Sequence, residues 1–246
     1  MNKILQLRKK GRLVEIQTAE DTLRLQEETV IHFRLFKGTE LSSELLKEIH
    51  AFDGYAKGLE KAYHYLSFKP RSVAQMKDYL DKKEIGAVER IITELKTKGY
   101  LNDEQTARMI TNQVLAQAKG KKVIRQKLIE AKIHPSIIDL VLGDTIVEQR
   151  DVERRLRSYL KPSTKSKRAF HASLMQKMMG AGFSYDLIQQ AIQDHQELID
   201  DCVDERKGVS LFITKHSSLS KDQLIKKLLN QGYPYRLIEQ VIKDEL

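Results

Sequence analysis

The sequence predicts a mainly α protein, an elongated tandem array of three-helix, helix-turn-helix-like repeats behind a small N-terminal β meander. Three observations carry this. Residues 231–242, QGYPYRLIEQVI, repeat residues 181–192, AGFSYDLIQQAI, fifty positions earlier, and Leu174, Met178, Met179 and Gly182 match Leu224, Leu228, Leu229 and Gly232 in the same register. From Tyr55 onward apolar residues recur at three-to-four spacing between Gly-marked turns. Residues 12–37 differ in texture, being short, alternating and rich in branched or aromatic side chains.

The N-terminal segment, 1–54, is read as strands at Leu13–Ile16, Leu23–Leu25 and Val30–Phe36, with turns at Thr18–Asp21 and Gln26–Glu28 and Gly38 ending the meander. So small a sheet needs a surface to pack on. A helix capped by Ser42 or Ser43, with Leu45, Leu46, Ile49 and Phe52 on one face and Asp53-Gly54 at its end, supplies one.

Repeat one, 55–102, has a helix over Leu59–Leu66 and a second opened by the capping box Ser72-Val-Ala-Gln75. Met76, Leu80, Ile85, Val88, Ile91, Ile92 and Leu95 form its apolar series, and Gly99 stands where a helix ends in left-handed backbone. Repeat two, 103–146, starts with Asn102 as cap to Gln105, and with Asp103 and Glu104 at the positive end of the helix dipole. Met109, Ile110, Val114 and Leu115 continue until Lys119-Gly120 breaks the pattern before a basic helix. Ile124, Leu128, Ile133, Ile137, Ile138, Val141 and Leu142 then fill the repeat positions, with Gly143 as a C-cap. Repeats three and four, 147–199 and 200–246, follow the same plan, the last with a second capping box at Ser220–Gln223. Units of this size bury too little surface alone, so neighbours are expected to stack and share a core.

Charge points toward the partner. The 43 Lys and Arg against 34 Asp and Glu leave +9, the balance of a polyanion binder. Two windows contain no acid at all. Between Glu104 and Glu130 lie Arg108, Lys119, Lys121, Lys122, Arg125 and Lys127; from Arg154 to Tyr185 lie Arg154, Arg155, Arg157, Lys161, Lys165, Lys167, Arg168 and Lys177. A solvated helix face normally mixes both signs for i,i+4 pairing, so these windows are expected to meet phosphate or an acidic protein face.

A helix-turn-helix reader would offer base-reading side chains on an exposed recognition helix. Gln189, Gln190 and Gln193, or Arg236, Glu239, Gln240 and Lys243, make no clear set; a general DNA-binding helix-turn-helix protein is therefore the alternative, and a scaffold for another acidic protein the third reading. Phe183, Tyr185, Tyr233 and Tyr235 recur beside Gly turns and are assigned to core or turn packing, as are Met175, Met178 and Met179. The seven histidines form no metal or nucleophile motif, and no Walker or Gly-x-Gly-x-x-Gly loop exists, so neither an enzyme nor a cofactor is expected. The lone Cys202, the lack of a signal-type apolar region and of eighteen successive apolar residues predict a cytoplasmic protein with no membrane contact. A monomer is expected.

Three stretches together resemble the RecX regulatory proteins of bacteria: Tyr65-Leu-Ser-Phe-Lys-Pro-Arg-Ser72; Lys98-Gly-Tyr-Leu-Asn-Asp-Glu104 with Ala107-Arg108 after it; and Gly120 to Leu128. The resemblance covers about Ala56 to Leu142, and the N-terminal strands are similar to the extension of longer members. It adds Lys69 and Arg71 to the contact residues. Where the family often has Arg, Val123 stands here. What the resemblance implies is a protein that binds the RecA recombinase filament on single-stranded DNA, with duplex DNA at most a weak partner. It would lower ATP hydrolysis, strand exchange and co-protease activity in DNA repair, recombination and the SOS response, by blocking extension or destabilising the filament. The basic faces of repeats two and three would then clamp the filament groove, and replacing Lys121, Lys122 and Arg125 with Glu should abolish inhibition while leaving helicity and Tm nearly unchanged.

Overall fold

The computed structural model describes residues 2–245, with a four-stranded antiparallel sheet and fourteen helices among them. The chain divides into two compact units, residues 1–107 with 130–137 and residues 108–129 with 138–246.

In the first unit β1 (Asn2–Lys10), β2 (Leu13–Thr18), β3 (Thr22–Gln26) and β4 (Glu40–Leu41) lie in the order β3-β2-β1-β4. The meander differs from the sequence reading in two ways. Its first strand is β1, with Ile4 buried, and the stretch expected as the third strand opens as helix α1 (Glu27–His32). The cause lies far along the chain. Asp53 Oδ1 accepts the Gln26 N–H at 2.6 Å and the Thr29 hydroxyl at 2.9 Å, which fixes the start of a helix where Val30 to Phe36 would otherwise pair as a strand. Arg34, at φ +49°, then ends it, with the Leu35 amide returning to the Val30 carbonyl.

Helix α2 (Ser43–Phe68) is capped by Ser42 and runs unbroken through Asp53-Gly54, so the expected boundary at 54/55 falls inside a helix. Its first half closes the core of Ile4, Val14, Ile16, Leu25, Leu35, Leu41 and Ile49. Its second half belongs to the core of repeat one, with α3 (Val73–Lys82) and α4 (Val88–Thr97), around Leu59, Met76, Leu80, Ile91 and Leu95.

The remaining repeats are α5 (Asp103–Ala116), α6 (Lys121–Glu130) and α7 (Pro135–Asp144); α8 (Gln149–Tyr159), α9 (Lys167–Gly180) and α10 (Tyr185–Asp194); and α12 (Glu205–Lys215), α13 (Lys221–Asn230) and α14 (Tyr235–Glu245). A short helix α11 (Gln196–Asp201) links the last two. Gly143 lies within α7, without positive φ, rather than ending it.

The repeat is most visible where each middle helix stops. Glu84, Lys132, Gly182 and Gly232 all have left-handed backbone at equivalent positions, with φ of 53°, 57°, 91° and 88°. At Gly182 and Gly232 the turn closes by two amide bonds, from the left-handed residue and the one after it, to carbonyls of the last helical turn. Glu84 and Ile85 make the same pair of bonds. Glycine is therefore used at two of four copies, and the geometry is set by the helix end rather than by the residue.

Candidate functional site

The middle helices also show where one repeat meets the next. Ser72 caps α3, accepting the Gln75 N–H at 3.1 Å, and its buried hydroxyl donates to the Ala131 carbonyl at 2.6 Å. Ser166 caps α9 and donates to the Gln231 carbonyl at 2.6 Å. Between these, Gly120 has no hydroxyl, and its own N–H reaches the Ala181 carbonyl at 2.9 Å. Ala131, Ala181 and Gln231 are fifty residues apart, each directly before a left-handed turn residue. Every joint thus sets the start of one middle helix against the end of the next.

An acid at the start of the following repeat secures two of the joints. Asp103 Oδ1 accepts the Val73 N–H at 2.8 Å, and Glu205 Oε1 accepts the Lys167 N–H at 2.7 Å, so a carboxylate sits at the positive end of α3 and of α9. The middle joint uses backbone alone, with the Lys122 N–H donating to the Gly182 carbonyl at 3.2 Å.

Tyr233 closes the last joint. Its hydroxyl donates to the Thr164 carbonyl at 2.6 Å, and burial, with Glu205 adding to it, raises the phenol above its ordinary value. A raised value in the fold means stability is complete below the unfolded phenol's pKa, near 10, and is lost as pH climbs through the folded one. Tyr233→Phe is expected to cost about 1 kcal/mol at neutral pH and to lack this alkaline loss. Melting both proteins from about pH 8 to 11 checks this, since the difference between them must shrink as pH rises.

Around the joints stand the predicted contact residues, and most of them are already occupied. Arg154 donates to the Leu115 and Ala116 carbonyls and to Asp151, and Arg155 to the Gln117 and Ala118 carbonyls, so these two arginines cap the end of α5. Lys121 Nζ caps the end of α7 through the Leu142 carbonyl at 2.9 Å. Arg108 pairs with Asp144 and Arg125 with Asp139, both at 2.9 Å, and Arg157 meets His195 at 3.1 Å. Lys167 pairs with Asp200 at 3.0 Å; burial pushes that carboxyl up, but Lys167, Gln196 and His171 together hold it below the ordinary carboxylate range. Arg71 lies 4.0 Å over the Tyr65 ring, which itself stacks on Tyr79. Lys127 is engaged as well.

The windows without acid in the sequence are therefore not free of acid in space. Six of the predicted cations make no side-chain hydrogen bond, ion pair or ring contact among the described residues: Lys69, Lys119, Lys122, Lys161, Lys165 and Arg168. Four of these share one register. Lys119 and Lys122 flank Gly120 at one residue before and two after; Lys165 and Arg168 flank Ser166 in the same way. The intervening Lys121 and Lys167 turn inward as latches. The aromatic assignment also divides, because Phe183 and Tyr233 are buried while Tyr185 and Tyr235 are 55% and 51% exposed.

Three-helix modules joined start-to-end, with cations repeated in one register at two of the joints, define a helical-repeat protein. The first three-helix domain model of RecX matches residues 59–100, and the regulatory protein RecX of Streptococcus mutans is 34% identical over 200 residues, covering 78% of this chain and 76% of that protein. The chain belongs to the RecX family of regulatory proteins. The relative from Lactococcus lactis, at 28% identity over 236 residues, covers 90% of this chain and 85% of its own. A crystal structure of regulatory protein RecX aligns with a TM-score of 0.58 over 82% of this chain and 100% of that one, at 23% identity. RecX from Lactobacillus salivarius aligns with a TM-score of 0.51 over 60% and 97%, at 25% identity. No helix among the described residues is long and apolar enough to cross a membrane.

Proposed function

We propose that the protein restrains a RecA recombinase filament on single-stranded DNA, acting in the cytoplasm as a monomer and lowering the filament's ATP hydrolysis, strand exchange and co-protease activity. The observation that carries the reading is the repeated quartet Lys119, Lys122, Lys165 and Arg168, whose side chains have no hydrogen-bond or ion-pair partner among the described residues. Unpaired cations keep their counterions until a phosphate or carboxylate replaces them. Two copies in one register suit a partner that itself repeats, as a filament does.

The test is ATP hydrolysis by a bacterial recombinase on single-stranded DNA, titrated with the protein. Reversing all four cations to Glu is expected to remove inhibition while shifting Tm by no more than about 2 °C, because none of the four holds the fold together. Reversal of Lys121 and Arg125 is a poorer probe than the sequence suggested, since both have structural partners. If the contacts are to single-strand phosphates, the log–log salt slope of DNA binding should flatten by about 0.7 for each cation lost. Undiminished inhibition by the quadruple variant would place the contact surface elsewhere.

A further inference from the structure

Between α7 and α8 the chain runs through Thr145, Ile146, Val147 and Glu148 with no helix, strand or turn. Ile146 is 77% exposed, the most exposed large hydrophobic side chain among the described residues. The N–H and C=O groups of Ile146 and Val147 take part in no hydrogen bond there either. Exposed N–H and C=O groups without a protein partner, beside an apolar side chain, are what a sheet edge offers to an added strand.

The segment lies in a trough. A groove of ≈ 640 Å³ is lined by Ile146, Val147, Phe183 and Leu187 together with Lys121 and Lys122. A second of ≈ 520 Å³ shares Ile146 and adds Leu115, Arg150 and Arg154. Lys121, Lys122, Arg150 and Arg154 share this lining with two acids among the described residues, Glu148 and Asp151, and the Lys122 side chain has no hydrogen-bond or ion-pair partner there.

We infer that this trough binds an extended acidic peptide carrying aliphatic side chains, laid beside Ile146 and Val147 as an added strand. The unpaired backbone offers main-chain hydrogen bonds, the groove takes alternate aliphatic side chains, and Lys122 takes a carboxylate. A nucleic acid strand fits less well, because bases need an open aromatic face and the aromatic ring lining the groove, Phe183, is 6% exposed. The inference rests on the reading that this face meets a protein partner, and it adds what that partner presents.

The probe is a fluorescein-labelled twelve-residue peptide alternating Glu or Asp with Leu or Ile, titrated with the full chain and read by anisotropy. Binding at about 10 to 100 μM is expected, weakening at least about tenfold when Gln replaces every acid. Ile146→Ser and Lys122→Glu should each weaken it about tenfold without moving Tm, and the amides of Ile146 and Val147 should become protected from hydrogen exchange in the complex. No binding at 1 mM, equal binding by Ile146→Ser, or self-association through Ile146 in place of peptide binding overturns the inference. The two readings fail separately. Peptide binding without inhibition of the recombinase sinks the functional reading alone, and inhibition without peptide binding sinks the groove alone.

Discussion

Gly120→Ser is expected to destabilise the protein by about 3 kcal/mol or more, although serine is the better residue for the start of a helix. A Cβ at position 120 would lie 2.1 Å from the Gly182 carbonyl oxygen, 2.3 Å from its carbon and 2.6 Å from the Phe183 nitrogen. All three are backbone atoms, so no side chain can turn aside to make room. The other joints place a serine here because their hydroxyls bridge the gap to Ala131 and Gln231. At the middle joint the backbones have come close enough that the bridge is replaced by a direct amide bond, and the added atom would separate them. Gly143→Ala serves as the control. Gly143 is inside α7 with nothing within 4 Å of an added Cβ, so alanine should stabilise by about 0.5 to 1 kcal/mol. Thermal melts of the two variants should move in opposite directions, by about 6 °C or more downward for Gly120→Ser. An unchanged Tm for Gly120→Ser would mean that the middle joint is not held as described.

That result would also show why the joints are hard to read in a sequence. Helix starts and stops are local events, and the capping boxes at Ser72 and Ser220, the cap at Asn102 and the turn at Gly99 all stand where their neighbours predict. Burial of Ile124, Leu128, Leu174, Met178, Leu224 and Leu228 follows from the same short spacing. Joints depend on carbonyls some sixty residues away, as from Ser72 to Ala131, and a backbone carbonyl has no sequence signature. Gly120 reads as a turn for the same reason, when what constrains it is the approach of Gly182.

The basic windows were misleading by the same physics. Counting acids along the chain measures i,i+4 pairing on one helix, whereas Arg125 finds Asp139 on the next helix and Arg108 finds Asp144. Such exposed pairs stabilise by only about 0 to 1 kcal/mol each, yet they remove two cations from the surface open to a partner. The register shared by Lys119, Lys122, Lys165 and Arg168 was present in the sequence. It becomes legible only once Gly120 is recognised as the counterpart of Ser166.

Asp53→Ala should have the second large effect, about 3 to 5 kcal/mol, and it tests what makes α1 a helix. Asp53 is 3% exposed, with Oδ1 accepting from the Gln26 amide and the Thr29 hydroxyl and Oδ2 paired with Lys57 at 2.7 Å. Removing the carboxylate leaves the fully buried Thr29 hydroxyl and the first amide of the α1 cap without acceptors. Nothing in the sequence of α1 replaces it, since Gln26 makes no side-chain cap and the alternation from Val30 to Phe36 favours an extended chain. Hydrogen exchange across Thr29 to Phe33 should therefore lose protection in Asp53→Ala well before the sheet does, with Asp53→Asn intermediate because one acceptor oxygen survives. If those amides stay as protected as in the parent protein, the helix is specified by its own residues, and the contact from α2 reports the fold without deciding it.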